Sequence, residues 1–446
     1  MIKSVKLTNF RCLEEARIDL SKITLLTGAN SSGKSTFIYS ILGSLQATDF
    51  PYSFAPNGEY INLGDYQDII SKHNTDLNFS IEFIVTKKGY SDVSMSTTWT
   101  NDKKTGMPTL ASFEVSCLEF TSHLTKSDEG WVFDLTVLKS EKNSVRQQKQ
   151  FQELTEYLFA TLRREFGKEP PNEKSDEAYQ IGTKIEIRAR TVKNIQPMLV
   201  SRYGANYDVF SAIRVIESCF TDLEDNFAYI SPFRLHPERT YYQRSGTPRR
   251  VDKFGDGYVD LILKWQSEDK KKFATFKALL KGLMLADSVK VQIFAGGRFQ
   301  ISVKTPKNKS YVNLADTGFG ISQFLPVLVA DLQLQARSLL ILSQPEIHLH
   351  PSVQAEFADY LNAGVKVGEK RYLVETHSEY LINRIRLLIV KGELSSEDVN
   401  VYHFEKTADQ TRLHRLAFNK DGTISNAPKD FFDTYMLDTL KIALES

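Results

Sequence analysis

The chain has 446 residues, 41% hydrophobic and 25% charged, an ordinary globular composition that excludes a disordered chain and supplies core for two or three domains. Its 56 basic and 55 acidic side chains leave a net charge of +1, so no global field favours nucleic acid or a membrane, and any such surface is local. Three scattered cysteines, Cys12, Cys117 and Cys219, support neither a disulfide framework nor a zinc site. The N-terminus carries charges from Lys3 onward and has no signal-peptide core. The most apolar stretch, residues 324–342, is interrupted by Asp331, two glutamines and Arg337, so the sequence predicts a cytoplasmic protein without a membrane span.

An apolar, branched run over residues 23–28 ends at Gly28, and helical spacing of Phe37, Ile41 and Leu45 follows Gly33. Between them GANSSGKS, residues 28–35, satisfies GxxxxGK(S/T). Glycines at 28 and 33 let backbone amides, including those of Asn30 and Thr36 nearby, wrap phosphates. Lys34 reaches the terminal phosphates, Ser35 offers its hydroxyl to magnesium, and the helix N-terminus adds its dipole. A glycine turn that only caps a helix is the plainer alternative, but the strand, loop and helix occur in the order the motif requires.

Residues 77–138 alternate apolar and polar, which predicts antiparallel strands accompanying a parallel sheet. Residues 141–167 have helical character and break at Pro170 and Pro171. About 27 residues span about 40 Å, too short and too irregular for a long coiled coil. An interaction lobe over residues 101–225 fits better. Residues 229–257 cluster Arg234, Arg239, Arg244, Arg249, Arg250 and Lys253 with Tyr241 and Tyr242. Such a segment either lines a nucleic-acid groove or is a solvated loop whose arginines pair with Glu238 and Asp252 or reach nucleotide phosphates.

YVNLADTGFGISQFLPVLVADLQLQ, residues 311–335, begins as a strand, passes through Asp316, Thr317 and two glycines, and continues as an apolar helix with Ile321, Ser322 and Gln323 in its first turn. Pro326 is tolerable only near that helix's start. Gly320 and Ser322 make a second candidate phosphate-binding end; a loop capping a core helix is the alternative. LLILSQPEIHLHP, residues 339–351, is a buried strand followed by a helix from Pro351. RYLVETHSEYLINRIRLLIVKG gives another buried strand ending at Glu375, then a helix that Ser378 caps and Gly392 ends. His377 stands at the strand's C-terminal end, the edge where open α/β sheets bind ligands. The tail reads as two strands, a turn at Asp421 and Gly422, and a helix from Lys429.

Together these segments resemble an ABC-type ATPase head of the SMC and RecF kind, and among these the ATPase module of the OLD family. GANSSGKST resembles the Walker A loop, DTGFGISQ the signature, LLILSQPEIHLHP the Walker B strand and ETHS the switch-histidine loop. The resemblance covers roughly residues 1–90 and 225–446. It implies an α/β fold: an ABC-ATPase head with a central, mostly parallel sheet, an antiparallel β subdomain and a helical insertion. The head would comprise residues 1–100 and 226–446, with the insertion at 101–225. It implies ATP and magnesium as cofactors, Arg11 approaching the nucleotide, Gln67 sensing magnesium, and heads packed as a homodimer or larger assembly in which Gly320 and Ser322 close on the partner's γ-phosphate. The sequence departs from the family where two acids, or an acid and a glutamine, usually end the Walker B strand. Ser343 can hydrogen-bond a magnesium-bound water but adds no charge, and Gln344 can orient water but cannot accept its proton.

Glu346 is the nearest carboxylate in sequence. If the strand continued extended, Glu346 would share a side with Gln344 and could serve as base, with His377 positioning water or phosphate. Glu346, His348 and His350 read alternatively as metal ligands, although no further His or Cys motif completes a set. No acidic cluster in the tail resembles the nuclease domain appended in OLD proteins. The resulting expectation is slow hydrolysis through Glu346 and control of a separate effector, in the manner of the ATPase subunits of two-component anti-phage systems such as Septu and PARIS. The alternatives are a RecF-like ATPase that contacts DNA through Arg239, Arg244, Arg249 and Arg250, and a scaffold that binds ATP without hydrolysing it.

Overall fold

The computed structural model describes residues 1–86, 90–138, 182, 184–191, 198, 206, 208–209, 211–216, 226–246, 248–305, 310–407 and 410–428. The helices expected at 141–167 and from Lys429 lie outside these residues. The chain divides into two compact units: Met1–Ile18 with Tyr39–Asp225, and Asp19–Ile38 with Asn226–Ser446. The P-loop segment, β3 (Ile23–Gly28) and the start of α1 (Lys34–Leu45), falls in the second unit, and the division runs through α1.

The first unit carries an eight-stranded sheet in the order β2-β1-β4-β5-β6-β7-β8-β9. Its strands are β1 (Ile2–Phe10), β2 (Leu13–Asp19), β4 (Phe79–Val85), β5 (Val93–Asp102), β6 (Met107–Ser116), β7 (Phe120–Ser127), β8 (Gly130–Val137) and β9 (Lys184–Ala189). From β1 through β4 to β9 every pairing is antiparallel, as the alternation predicts. In β4 Phe79, Ile81, Phe83 and Val85 are buried while the intervening residues are part-exposed. Phe79 is the hub of an aromatic cluster, with Phe10 edge-on at 5.5 Å, Phe54 edge-on at 5.5 Å and Trp99 stacked at 6.4 Å. Tyr66, in the short helix α2 (Tyr66–Ile69), donates its hydroxyl to the Leu77 and Trp99 carbonyls.

The second unit is built on a seven-stranded sheet in the order β10-β15-β16-β3-β17-β18-β19. β10 (Phe227–Ile230), β15 (Leu339–Ser343), β16 (Arg371–Glu375), β3 and β17 (Val399–Lys406) are parallel, and β18 (Thr411–Phe418) and β19 (Ile424–Ser425) add antiparallel strands at one edge. β3 and β15 are buried at every position, which accounts for their unbroken apolar runs. A smaller antiparallel sheet joins β11 (Tyr241–Tyr242), β12 (Ser288–Ile293), β13 (Arg298–Lys304) and β14 (Val312–Asn313). Among the described residues from 226 onward the α-helices are α3 (Tyr258–Glu268), α4 (Lys270–Gly282), α5 (Phe319–Gln333), α6 (Pro351–Gly368) and α7 (Glu379–Val390). Ser378 caps α7 by accepting the Leu381 amide, and Leu381, Ile385 and Leu388 are its buried stripe. The fold is thus α/β, a mostly parallel sheet accompanied by two sheets of antiparallel pairing. No helix among the described residues is long and apolar enough to cross a membrane.

The start of α5 differs from the sequence reading. The helix begins at Phe319, so Pro326 is eighth in it and removes an interior amide bond. Burial of the whole run from Ser322 to Asp331 outweighs that loss. Asp331 itself is buried. Tyr360 of α6 donates its hydroxyl to it, Tyr372 of β16 does so at 3.4 Å, and Lys370 Nζ lies at 3.1 Å. Burial and the neighbouring Asp331 charge push both phenols well above the usual tyrosine value, so both remain donors. Lys370→Met should strand this carboxylate and cost about 3–5 kcal/mol in chemical unfolding. Pairing it with Asp331→Asn should recover most of the loss, and an equal loss in both variants would refute the pairing.

Candidate functional site

β3 leads directly into the loop that precedes α1. Gly28 has φ +136, and a Cβ there would stand 2.3 Å from the Phe404 carbonyl oxygen of β17, so only glycine fits. Ser31 (φ +58) and Gly33 (φ +106) complete the turn, and Phe37 N–H donates to Gly33 O at 3.1 Å as α1 starts. Ala29, Asn30 and Ser31 are exposed, Lys34 is buried, and Ser35 and Thr36 are part-exposed. Lys34 Nζ folds back over the loop and donates to Gly28 O at 3.1 Å and Ala29 O at 2.8 Å. Burial pushes its ammonium below the usual lysine value, while the charges of Glu375 and Glu346 pull it back.

The parallel register brings the ends of two strands together. Ser343 at the end of β15 pairs with Glu375 at the end of β16, and Glu375 pairs on its other side with Leu26 of β3. Ser35 Oγ donates to Glu375 Oε1 at 2.8 Å. The Ser343 hydroxyl is buried and has no hydrogen-bond partner among the described residues.

Beyond Ser343 the chain is not extended. Gln344 has φ +47 and donates its amide to Glu375 O at 2.7 Å, and a turn follows with Leu349 N–H donating to Glu346 O at 2.9 Å. The two-residue alternation that would put Gln344 and Glu346 on one side therefore does not apply. Glu346 turns inward instead, and its Oε1 accepts the His377 amide at 2.7 Å. Burial raises its carboxyl above the usual carboxylate range, against the pull of the His377 amide and the Arg234 charge. The His377 ring reaches the surface, and its buried part, together with the Lys34 charge, lowers its pKa.

Arg234 does not belong to a basic surface. It is 6% exposed, and its guanidinium donates to Ser231 O at 3.1 Å, Gln323 O at 3.1 Å and Gln344 O at 3.2 Å. Burial lowers it to about 10, with Glu346 opposing, so it stays charged at neutral pH. Arg239 binds both carboxylate oxygens of Asp316, and Arg244 pairs with Asp256 at 2.6 Å and Asp260 at 3.5 Å, in place of the expected Glu238 and Asp252. Arg249 and Arg250 are exposed.

At α5, Gly318 is the N-cap and is exposed, as is Phe319. A Cβ on Gly320 would lie 2.7 Å from His348 O, so this glycine serves close packing inside the first turn. Ser322 is 2% exposed and donates its hydroxyl to Phe319 O at 3.0 Å. The ring of Phe319 lies against His348 and His236. His350 caps α6 by accepting the Ser352 amide at 3.3 Å. His348 and His350 therefore lie in a turn and a cap, and no group of three or more His, Cys, Asp or Glu among the described residues could hold a metal. Arg11 and Gln67 belong to the first unit: the Arg11 amide donates to Ile69 O at 2.6 Å, and Gln67 is exposed on α2, its carbonyl contacting the His73 ring.

The donors fit a nucleotide with magnesium. A cradle that admits only glycine, a lysine on loop carbonyls, and oxygen donors from Ser35, Glu375 and Ser343 suit a hard cation that takes one or two carboxylates plus substrate phosphates. Sequence reasoning missed Glu375 and the buried place of Arg234; the only local signal for Glu375 was an acid at the end of a buried strand.

No curated protein matches the sequence. Among solved structures the chain is similar to an SMC head bound to the C-winged helix domain of ScpA (13% identity, 94% of this chain and 98% of that one, TM-score 0.42). It is also similar to the SMC head domain from Thermotoga maritima (10% identity, 92% and 97%, TM-score 0.40). A third is the Smc head domain with an extended coiled coil bound to the C-terminal domain of ScpA derived from Pyrococcus furiosus (12% identity, 100% and 98%, TM-score 0.37). The sequence pattern of the AAA ATPase domain matches residues 1–232 and 250–382, most of the chain, and the protein belongs to the AAA ATPase domain family.

Proposed function

We propose that the chain is an ABC-type ATPase that binds ATP with magnesium, hydrolyses it slowly, assembles on it, and controls a separate nuclease or toxin subunit in anti-phage defence. One observation carries the ATPase reading: the P-loop residues Lys34 and Ser35 lie beside two buried carboxylates, Glu375 at the end of β16 and Glu346 in the turn that follows β15. When bound, ATP with its magnesium supplies the phosphoanhydride that is split. Lys34 exchanges its bonds to the Gly28 and Ala29 carbonyls for phosphate oxygens, and the loop amides complete the cradle. Glu346 is the base, because its raised carboxyl accepts a proton more readily than an ordinary one. Gln344 orients the water, and His377 with its lowered pKa can hydrogen-bond a phosphate oxygen or the water from its neutral form.

Assembly is supported by the exposed start of α5 at Gly318 and Phe319, an N-terminal end available to a second copy's phosphates. Ser322 points inward, so in this reading the contact falls first to the amides of Gly318, Phe319 and Gly320. The effector and the defence role rest on the resemblance of the sequence to the ATPase subunits of two-component systems.

Single-turnover hydrolysis with magnesium, with mass recorded in the same samples, tests the proposal. Wild type should hydrolyse, Lys34→Ala should neither bind nor hydrolyse, and Glu346→Gln should lose about 10²- to 10⁴-fold in rate and accumulate as an ATP-bound assembly. ATP bound and never cleaved, with Glu346→Gln without effect, would make the protein a scaffold, the reading that Ser343 and Gln344 favour. DNA binding that is salt-sensitive and lost in the Arg249→Ala/Arg250→Ala variant would favour the RecF-like reading.

The hydrolysis rate should also depend on pH. A base acts deprotonated, so the rate should fall as pH drops through the raised Glu346 value, giving an acid limb centred above 4.5. Glu346→Gln should remove this limb, and an unchanged limb would assign it to another group.

A further inference from the structure

We infer that Glu375 is the carboxylate that completes the magnesium site, so that the acid missing from the end of β15 stands one strand over, at the end of β16. The inference rests on the ATP-binding reading above. β16 lies between β15 and β3, and Glu375 is in register with Ser343 on one side and with Leu26 of the P-loop strand on the other. Neighbouring strands are about 4.8 Å apart, so the change of strand moves a carboxylate one spacing towards the loop.

The side chain uses that position. Glu375 is 3% exposed, its Oε1 accepts the Ser35 hydroxyl at 2.8 Å, and its charge acts on Lys34. Ser35 is the P-loop hydroxyl whose place in the motif is on magnesium. A carboxylate bonded to it lies within one ligand's breadth of any cation it binds. On the other flank the buried Ser343 hydroxyl, without a partner among the described residues, can hold a metal-bound water. The pair Ser343 and Glu375 thus keeps the donors of a hydroxyl and an acid, with the acid on the other strand. A magnesium ion that takes its remaining ligands from phosphates and water needs no further protein carboxylate.

The test measures, on the full chain with a fluorescent ATP analogue, the ratio of affinity in magnesium to affinity in EDTA. In wild type this ratio should be about tenfold or more, since even an outer-shell partner of a metal ligand is worth about 10- to 100-fold in metal affinity. Glu375→Gln keeps an acceptor for Ser35, so a purely structural role would leave the ratio intact; we expect it to collapse towards one. Adding Ser343→Asp to Glu375→Gln should restore it. If Glu375→Gln retains the wild-type ratio, Glu375 is only the acceptor of Ser35 and the inference falls alone. If wild type binds no nucleotide, or Lys34→Ala binds as well as wild type, the ATP-binding reading fails and takes the inference with it. Thermal melting checks that each variant folds. Should Glu375→Gln not fold, the exchange Ser343→Asp/Glu375→Ser replaces it and should keep the ratio. Loss of the ratio in that variant, with binding in EDTA preserved, would overturn the inference.

Discussion

Parallel pairing of β15, β16 and β3 sets the edge at which Gly28, Ser343 and Glu375 meet. Residues 339–343 align with 371–375, and 372–375 with 23–26, so all three strands stop at one edge. Both faces of these strands are buried, and a slip of one residue would turn every side chain to the opposite face. The edge therefore has little freedom of register. Gly28, Ser343 and Glu375 arrive together because their strands have no other way to pair.

Four buried ionisable side chains gather at that edge, the acids Glu346 and Glu375 and the basic Lys34 and Arg234. Lys34 and Arg234 are pushed down and Glu346 is pushed up, each by burial and each against opposite charges nearby. Arg234 also closes the accounts of three carbonyls, those of Ser231, Gln323 and Gln344, which belong to three different segments. Its charge and its five donors in a planar fork suit this task in a way that a lysine's single ammonium would not. The site is held by backbone acceptors as much as by side chains.

The parts legible in the sequence were those whose physics is local. The P-loop could be read because glycine spacing, the lysine and the following helical stripe all lie within residues 23–45. The strand ending at Glu375 and the helix capped by Ser378 announced themselves through an apolar run and a capping residue. Alternation gave the antiparallel strands between 77 and 138. What stayed hidden depends on distant partners or unmarked backbone geometry. Ser35 and Glu375 are 340 positions apart, and nothing near either one names the other. The left-handed turn at Gln344 has no glycine or asparagine to signal it. Arg234 stands in sequence among surface arginines, yet it is buried against the carbonyls of Gln323 and Gln344, which lie far along the chain. Gly320 reads as a loop glycine, yet it lies in a helix where the demand is for space.

That space has a mechanical consequence. The first turn of α5 and the turn after β15 meet with no clearance, glycine against the carbonyl of His348. A close-packed contact of this kind cannot absorb a displacement of even a few tenths of an ångström. The turn that carries Glu346 and the outward-facing edge at Gly318 and Phe319 therefore touch through one close contact, and any side chain at position 320 would wedge the two apart.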